Sequence, residues 1–229
     1  MIRGVFLDIR ALVYGPEGAE LLCDILAGEG IAVTPAAVAE AIVGLPEALT
    51  RNAGAMETGE QEDDYNRAML PLLLQRLGLA AVTDALLLRL LEGLHEYHAY
   101  FSLYPEVLPV LEQLKERGIT MAVVANWEPS LERLVREFEL DGYLAAVLAS
   151  RVAGSSKPDR LIFAKALRET GLTGDEVLHV GPSLKEDVEG AVAAGIHPVW
   201  LNRTGIITDH EVLTITDLRG LLMLAKAGH

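Results

Sequence analysis

The sequence predicts an α/β protein: a doubly wound, Rossmann-like parallel sheet with an all-helical cap domain inserted after its first strand. Three observations predict it. In the second half of the chain, short apolar runs alternate with helical patterns, which gives βαβ units and a parallel sheet covered on both faces. From about Thr34 to Tyr100 the pattern is helical almost throughout, with no convincing strand. The apolar run Val5-Phe6-Leu7, near the N-terminus, ends on a lone carboxylate, Asp8, and ligands of parallel sheets bind beyond the carboxyl ends of the strands.

Taken in order, the first strand gives way to the turn signal Gly15-Pro16-Glu17-Gly18 and a helix over Ala19 to Ala27. Thr34 as N-cap before Pro35 opens the helical block, whose apolar spacing predicts helices over Val38 to Leu49, Tyr65 to Leu77 and Val82 to Tyr100. Glu57 to Asp64, with five acidic residues and no basic one, reads as a solvated loop and the acidic first turn of the next helix. Beyond it come a helix over Pro105 to Arg117 closed by Gly118, a strand Thr120 to Ala125, a helix Glu128 to Phe138 and a strand Leu144 to Ala149. Helix Arg160 to Thr170, strand Val177 to Val180, helix Lys185 to Ala194 closed by Gly195, and strand Pro198 to Leu201 continue the alternation. Val212 to Ile215 is an expected edge strand before a last helix, Asp217 to Lys226. The expected domains are a core of residues 1–13 and 102–229 and a helical cap of residues 14–101, placed over the strand ends.

Composition narrows the function. The net charge of -14, with 19 Lys and Arg along the chain, excludes the basic footprint that nucleic acid requires. The single cysteine, Cys23, rules out an intrachain disulfide and a cysteine-based zinc site and fits a reducing compartment. No signal-peptide pattern precedes the first strand and no apolar run reaches the roughly 18 residues of a membrane helix, so a cytoplasmic protein that avoids membranes is expected. The expected partner is a small-molecule substrate or anion. The leucine-rich helices Leu72 to Leu77 and Leu86 to Leu94 read as core, although a cap this apolar also permits a homodimer.

Four strand ends converge on one crevice: Asp8; Ala125-Asn126; Ser155-Ser156-Lys157-Pro158-Asp159; and Gly181-Pro182-Ser183-Leu184-Lys185-Glu186-Asp187. With Asn126-Trp127-Glu128-Pro129-Ser130-Leu131 and the run from Leu178-His179-Val180-Gly181 to Gly190-Ala191-Val192-Ala193-Ala194-Gly195-Ile196, these segments resemble the haloacid dehalogenase-like hydrolase superfamily, in the branch with a helical cap after the first strand. Their order and spacing carry the likeness, which spans essentially the whole chain. The resemblance implies that Asp8 is the nucleophile, Lys157 holds nucleophile and phosphate, and Asp187 is the outer acidic residue near a Mg²⁺ that also binds Asp8. Asn126, Ser183 and Arg10, gathered at the same strand ends, are the expected substrate- or phosphate-binding residues. A phosphoryl centre is crowded with negative oxygens, so an anionic nucleophile needs cations to cancel charge.

The chain departs from the family pattern three times. Arg10 stands where the general acid is expected, Ala125 replaces the phosphate-binding Ser or Thr, and Pro182 replaces the Asp that would ligate Mg²⁺ directly. Removing a positioned acid costs about 10² to 10⁴ in rate, and a lost metal costs several kcal/mol more. The expectation is therefore a phosphatase-like protein by descent with a weak or absent Mg²⁺ site and an impaired or inactive centre. Two other readings stand beside it: a working hydrolase on a small organic substrate, either by metal-free attack of Asp8 on carbon, as haloacid dehalogenases do, or as a small-molecule phosphatase, and a non-catalytic binding or oligomerisation module. Asp8 also has a plain reading as the residue capping the turn after its strand. His95 and His98 read as a surface pair, His179 as a packed strand residue with both nitrogens satisfied, and Trp127 as packing against the cap.

Overall fold

In a computed structural model the described residues are 1–16, 18–43, 45, 56–79, 82–206, 209 and 211–225. They divide into two compact units, Met1–Tyr14 with Leu103–His229, and Gly15–Ser102. The strands in chain order are β1 (Gly4–Leu7), β2 (Val13–Tyr14), β3 (Ser102–Leu103), β4 (Thr120–Ala125), β5 (Leu144–Ala149), β6 (Val177–Gly181), β7 (His197–Leu201) and β8 (Thr214–Ile215). The helices are α1 (Ile9–Leu12), α2 (Ala19–Gly28), α3 (Pro35–Val43), α4 (Gly59–Arg76), α5 (Asp84–His95), α6 (Val107–Glu116), α7 (Leu131–Glu137), α8 (Ser150–Ala153), α9 (Arg160–Thr170), α10 (Gly190–Ala193) and α11 (Leu221–Leu224).

The first unit holds a six-stranded sheet in the order β5-β4-β1-β6-β7-β8, parallel in every pairing. β1 lies between β4 and β6, so the chain runs outward on one side, returns and runs outward on the other. The carboxyl end of β1 is thus the switch point where such sheets open a crevice. Side chains alternate across the pleat. Phe6, Ala122, Val124, Ala146 and Leu148 face Ile162, Phe163 and Ala166 of α9, while Val5, Leu7, Met121 and Val123 on the other face are equally buried. Burial on both faces explains why β4 reads as a continuous apolar run; the edge strand β5 is apolar throughout as well, though Ala145 is exposed, and both lie where the sequence expects them to the residue.

The second unit is helical, and none of its described residues lies in a strand apart from Ser102. Thr34 Oγ1 accepts from the Ala37 N–H at 3.2 Å ahead of Pro35, the expected cap. Leu22, Ile25 and Leu26 of α2, Val38 and Ala41 of α3, Leu70, Leu73 and Leu74 of α4 and Leu90 of α5 form one buried cluster at helical spacing. Gly93 lets α5 come close to α2, because a Cβ there would lie 2.8 Å from Ile25 Cγ2. The helix expected from Tyr65 starts at Gly59, so most of the acidic run belongs to it. Thr58 Oγ1 accepts from the Gln61 N–H and Gln61 Oε1 from the Glu57 N–H, so caps and favourable first-turn acids outweigh the missing apolar period. The helix expected over Val38 to Leu49 is described as Pro35–Val43, and the rest of the expected stretch falls mostly outside the described residues. No helix among the described residues is long and apolar enough to cross a membrane.

Candidate functional site

Asp8 follows β1 directly, and its N–H still bonds the Val180 carbonyl of β6 at 2.9 Å. Its side chain caps α1: Oδ1 accepts from the Arg10 N–H at 2.7 Å, so the plain turn-capping reading of Asp8 holds. A cation reaches the other oxygen of the same carboxylate. The fully buried ammonium of Lys157, from the loop before α9, lies 2.5 Å from Asp8 Oδ2 and 2.5 Å from Asp187 Oδ1.

Lys157 is held at its backbone as well. Asn126, one residue past β4, accepts from the Lys157 N–H at 2.7 Å through Oδ1 and donates from Nδ2 to the Lys157 carbonyl at 3.0 Å. Asn126 thus clasps the Lys157 backbone from both ends of its amide. Asp187 sits in a π-helical turn, Leu184–Glu189, capped by the Ser183 hydroxyl, which accepts from the Glu186 N–H at 3.1 Å. The Ser183 N–H donates to Asp187 Oδ2 at 2.9 Å, and His179 Nε2 lies 3.0 Å from Oδ1. Asp187 can lie over the end of β6 only because position 181 is glycine: an added Cβ would be 2.2 Å from the carboxyl carbon. Trp200 Nε1 donates to the Pro182 carbonyl at 2.9 Å and pins the turn.

The sequence-chosen residues therefore meet, with unequal roles. Asp8, Lys157 and Asp187 are in direct contact; Arg10 joins through its main-chain N–H; Asn126 and Ser183 fix the backbone and turn that bring the charged groups together. Ala125 is buried at the end of β4. One expectation fails in part: among the described residues His179 Nδ1 has no hydrogen-bond partner, so only one ring nitrogen is satisfied. Sequence reasoning also missed Arg203. Its guanidinium pairs with Glu106 at 2.7 Å, lies 3.5 Å over the Tyr104 ring and donates to the Ala11 carbonyl at 2.9 Å, bracing the turn after Asp8. Elsewhere, His95 Nδ1 stands 3.6 Å from Asp63, an acidic partner its spacing did not reveal. No group of three or more His, Cys, Asp or Glu side chains among the described residues is arranged to hold a metal ion.

Charge follows this geometry. Burial alone would push the Lys157 pKa down, but attraction to Asp8 and Asp187 and hydrogen bonds to both carry it above its ordinary value. Burial works to raise the Asp187 pKa, and the hydrogen bond from His179 with attraction to Lys157 overturns that and holds the carboxyl well below the usual carboxylate range. Burial lowers the His179 pKa, more than contact with Asp187 raises it. Below the ordinary histidine value of 6.5 the unfolded chain binds a proton that folded His179 refuses, so its contribution falls with pH. Asp187 adds a second loss below its ordinary value of 3.8, as pH falls toward its folded pKa. The raised Lys157 pKa gives a contribution fully present below 10.5 and lost as pH rises through the folded value. Unfolding free energy measured against pH, wild type minus His179→Phe, should therefore fall as pH drops below the histidine range, and a flat difference there would contradict the assignment.

Comparison with known proteins fits this geometry. A family model described as a haloacid dehalogenase-like hydrolase matches residues 11–195. The chain is 34% identical over 128 residues to a phosphoserine phosphatase of Thermus thermophilus, covering 54% of this chain and 51% of that protein, so it spans about half the length of that relative. Among solved structures, a 2-haloacid dehalogenase from Pseudomonas syringae pv. Tomato is similar with a TM-score of 0.71 at 24% identity, over 98% of both chains. A phosphatase from Thermococcus onnurineus is similar with a TM-score of 0.68 at 20% identity, over 99% of both. Those two likenesses are of fold.

Proposed function

From the premise that the chain belongs to the haloacid dehalogenase-like hydrolase family, we propose that it is phosphatase-like by descent and no longer performs magnesium-dependent phosphoryl transfer. One observation carries this reading: each of the four carboxylate oxygens of Asp8 and Asp187 already accepts a hydrogen bond from Lys157, His179 or a main-chain N–H.

The residues present do not fit Mg²⁺. The ion asks for near-octahedral oxygen ligands and gives up water reluctantly. Here the ammonium of Lys157 bridges the two carboxylates that the cluster holds among the described residues, and Pro182 offers no side-chain oxygen. Admitting the ion would mean separating a buried ion pair with no additional anion to compensate it. Arg10 adds a cation to the segment that in the family carries the general acid. The lysine and the Arg10 N–H balance the charge of Asp8, and Asn126 and Ser183 set the geometry of that balance.

A second reading has support in the same contacts. A carboxylate balanced by an ammonium and a backbone N–H is ionised and needs no metal to attack carbon. Asp8 would displace halide from a 2-haloacid, forming an ester through its oxygen and releasing the halide with the bonding electron pair. Water would then add to the ester carbonyl, returning the carboxylate, the hydroxyacid and a proton. Turnover of p-nitrophenyl phosphate with and without Mg²⁺, beside halide release from 2-chloropropionate, tests both. The primary reading predicts neither product above the Asp8→Asn control. Halide release lost in Asp8→Asn would establish the second, and Mg²⁺-dependent phosphate release lost in Asp8→Asn would overturn both.

A further inference from the structure

We propose that His179 is a positioning residue of the Asp8 site, its Nε2–H fixing the Asp187 carboxylate so that Asp187 in turn aims the Lys157 ammonium at Asp8. The inference rests on the site described under the proposed function, though not on whether that site turns over.

His179 pairs in register with Phe6, so its ring points to the sheet face packed by α9, where Phe163 meets it edge-on at 4.9 Å between ring centroids. It is fully buried in that apolar layer. A residue kept there for packing alone would carry no nitrogen, because a buried acceptor with no donor is costly, and Nδ1 has none among the described residues. The other nitrogen supplies the compensation. Asp187 is an ionised carboxylate and only accepts, so the proton must sit on Nε2, and the neutral Nε2–H tautomer follows from the contact.

The consequence passes along a chain of contacts. Gly181, two residues after His179 on the same face, leaves the space that the Asp187 carboxylate fills. The Ser183 N–H fixes Oδ2 and His179 fixes Oδ1, so rotation of the carboxylate is blocked from both ends. Oδ1 then presents its remaining lone pair to Lys157, whose Nζ at 2.5 Å is held where it also reaches Asp8. Without the imidazole donor, Oδ1 would be free to turn and the ammonium would lose its shared geometry.

Nitrogen NMR reads this without turnover. In the wild type, the His179 ring is expected to show a protonated Nε2 and an unprotonated Nδ1, and Lys157 a distinct, slowly exchanging ammonium signal, assigned by its loss in Lys157→Met. His179→Phe keeps the ring against Phe163 and removes the donor; it should lose the slow Lys157 signal, and His179→Gln, which restores an N–H at similar reach, should recover it. A proton on Nδ1, a Lys157 signal unchanged in the Phe variant, or no recovery in the Gln variant would overturn the proposal. If the Phe variant does not fold, the Gln variant decides, a retained signal supporting the proposal and a lost one refuting it. Mg²⁺-dependent phosphatase activity would overturn the proposed function and leave this inference standing.

Discussion

Lys157→Met is expected to destabilise the protein by about 3–5 kcal/mol, the cost of removing one partner from a buried ion pair. The lysine side chain is fully buried and its ammonium is the cation shared by Asp8 and Asp187. Methionine replaces its bulk but leaves two carboxylates facing each other with no charge between them. The unfolded chain, where both are hydrated, is the more favourable place for them. Denaturant unfolding measures the loss. Making the same change in an Asp8→Asn background should cost much less, because one of the stranded charges is already gone. An additive cost would mean that Lys157 contributes packing and little else.

The second large effect is expected from Gly181→Ala, a change that favours strands by propensity and so isolates the steric argument. A Cβ at 181 would lie 2.2 Å from both Cγ and Oδ2 of Asp187 and 2.6 Å from Oδ1. The carboxylate is the part that must move, yet it is tied by Ser183, His179 and Lys157, so displacement strands buried donors. Overpacking typically costs about 1–3 kcal/mol and an unsatisfied buried polar group about as much again. Chemical denaturation should show a loss of at least about 2 kcal/mol, and the slow Lys157 ammonium signal should vanish. Gly142→Ala, where nothing lies within 4 Å of the added carbon, is the matched control.

How much of this was legible in the sequence depends on whether the signal was local. β4 and β5 were readable to the residue because both are unbroken apolar runs, β4 through burial on both faces. The start of α4 was missed because its first two turns are acidic and carry no apolar period, although Thr58 and Gln61 stand at capping-box spacing. At the site, Asp8, Lys157 and Asp187 were legible as a set, since each follows a strand end in a recognisable order. Their supports were not. Asn126 gives no local sign that its amide clasps the Lys157 backbone 31 positions away. His179 reads as core because its neighbours are core; only the turn over Gly181 brings Asp187 back onto its ring. Arg203 is 192 positions from the Ala11 carbonyl it braces, and no periodicity announces such a contact.

The central claim is that the ammonium of Lys157 and the loss of a carboxylate at Pro182 leave no place for the divalent cation. Titrating Mg²⁺ calorimetrically into the unmodified protein tests it most directly, with the Arg10→Asp, Pro182→Asp double variant measured alongside. The account predicts no saturable binding at millimolar Mg²⁺ in the unmodified chain and measurable binding in the variant, where the added carboxylates supply anionic oxygen ligands. Saturable Mg²⁺ binding by the unmodified protein, abolished by Asp8→Asn, would contradict it.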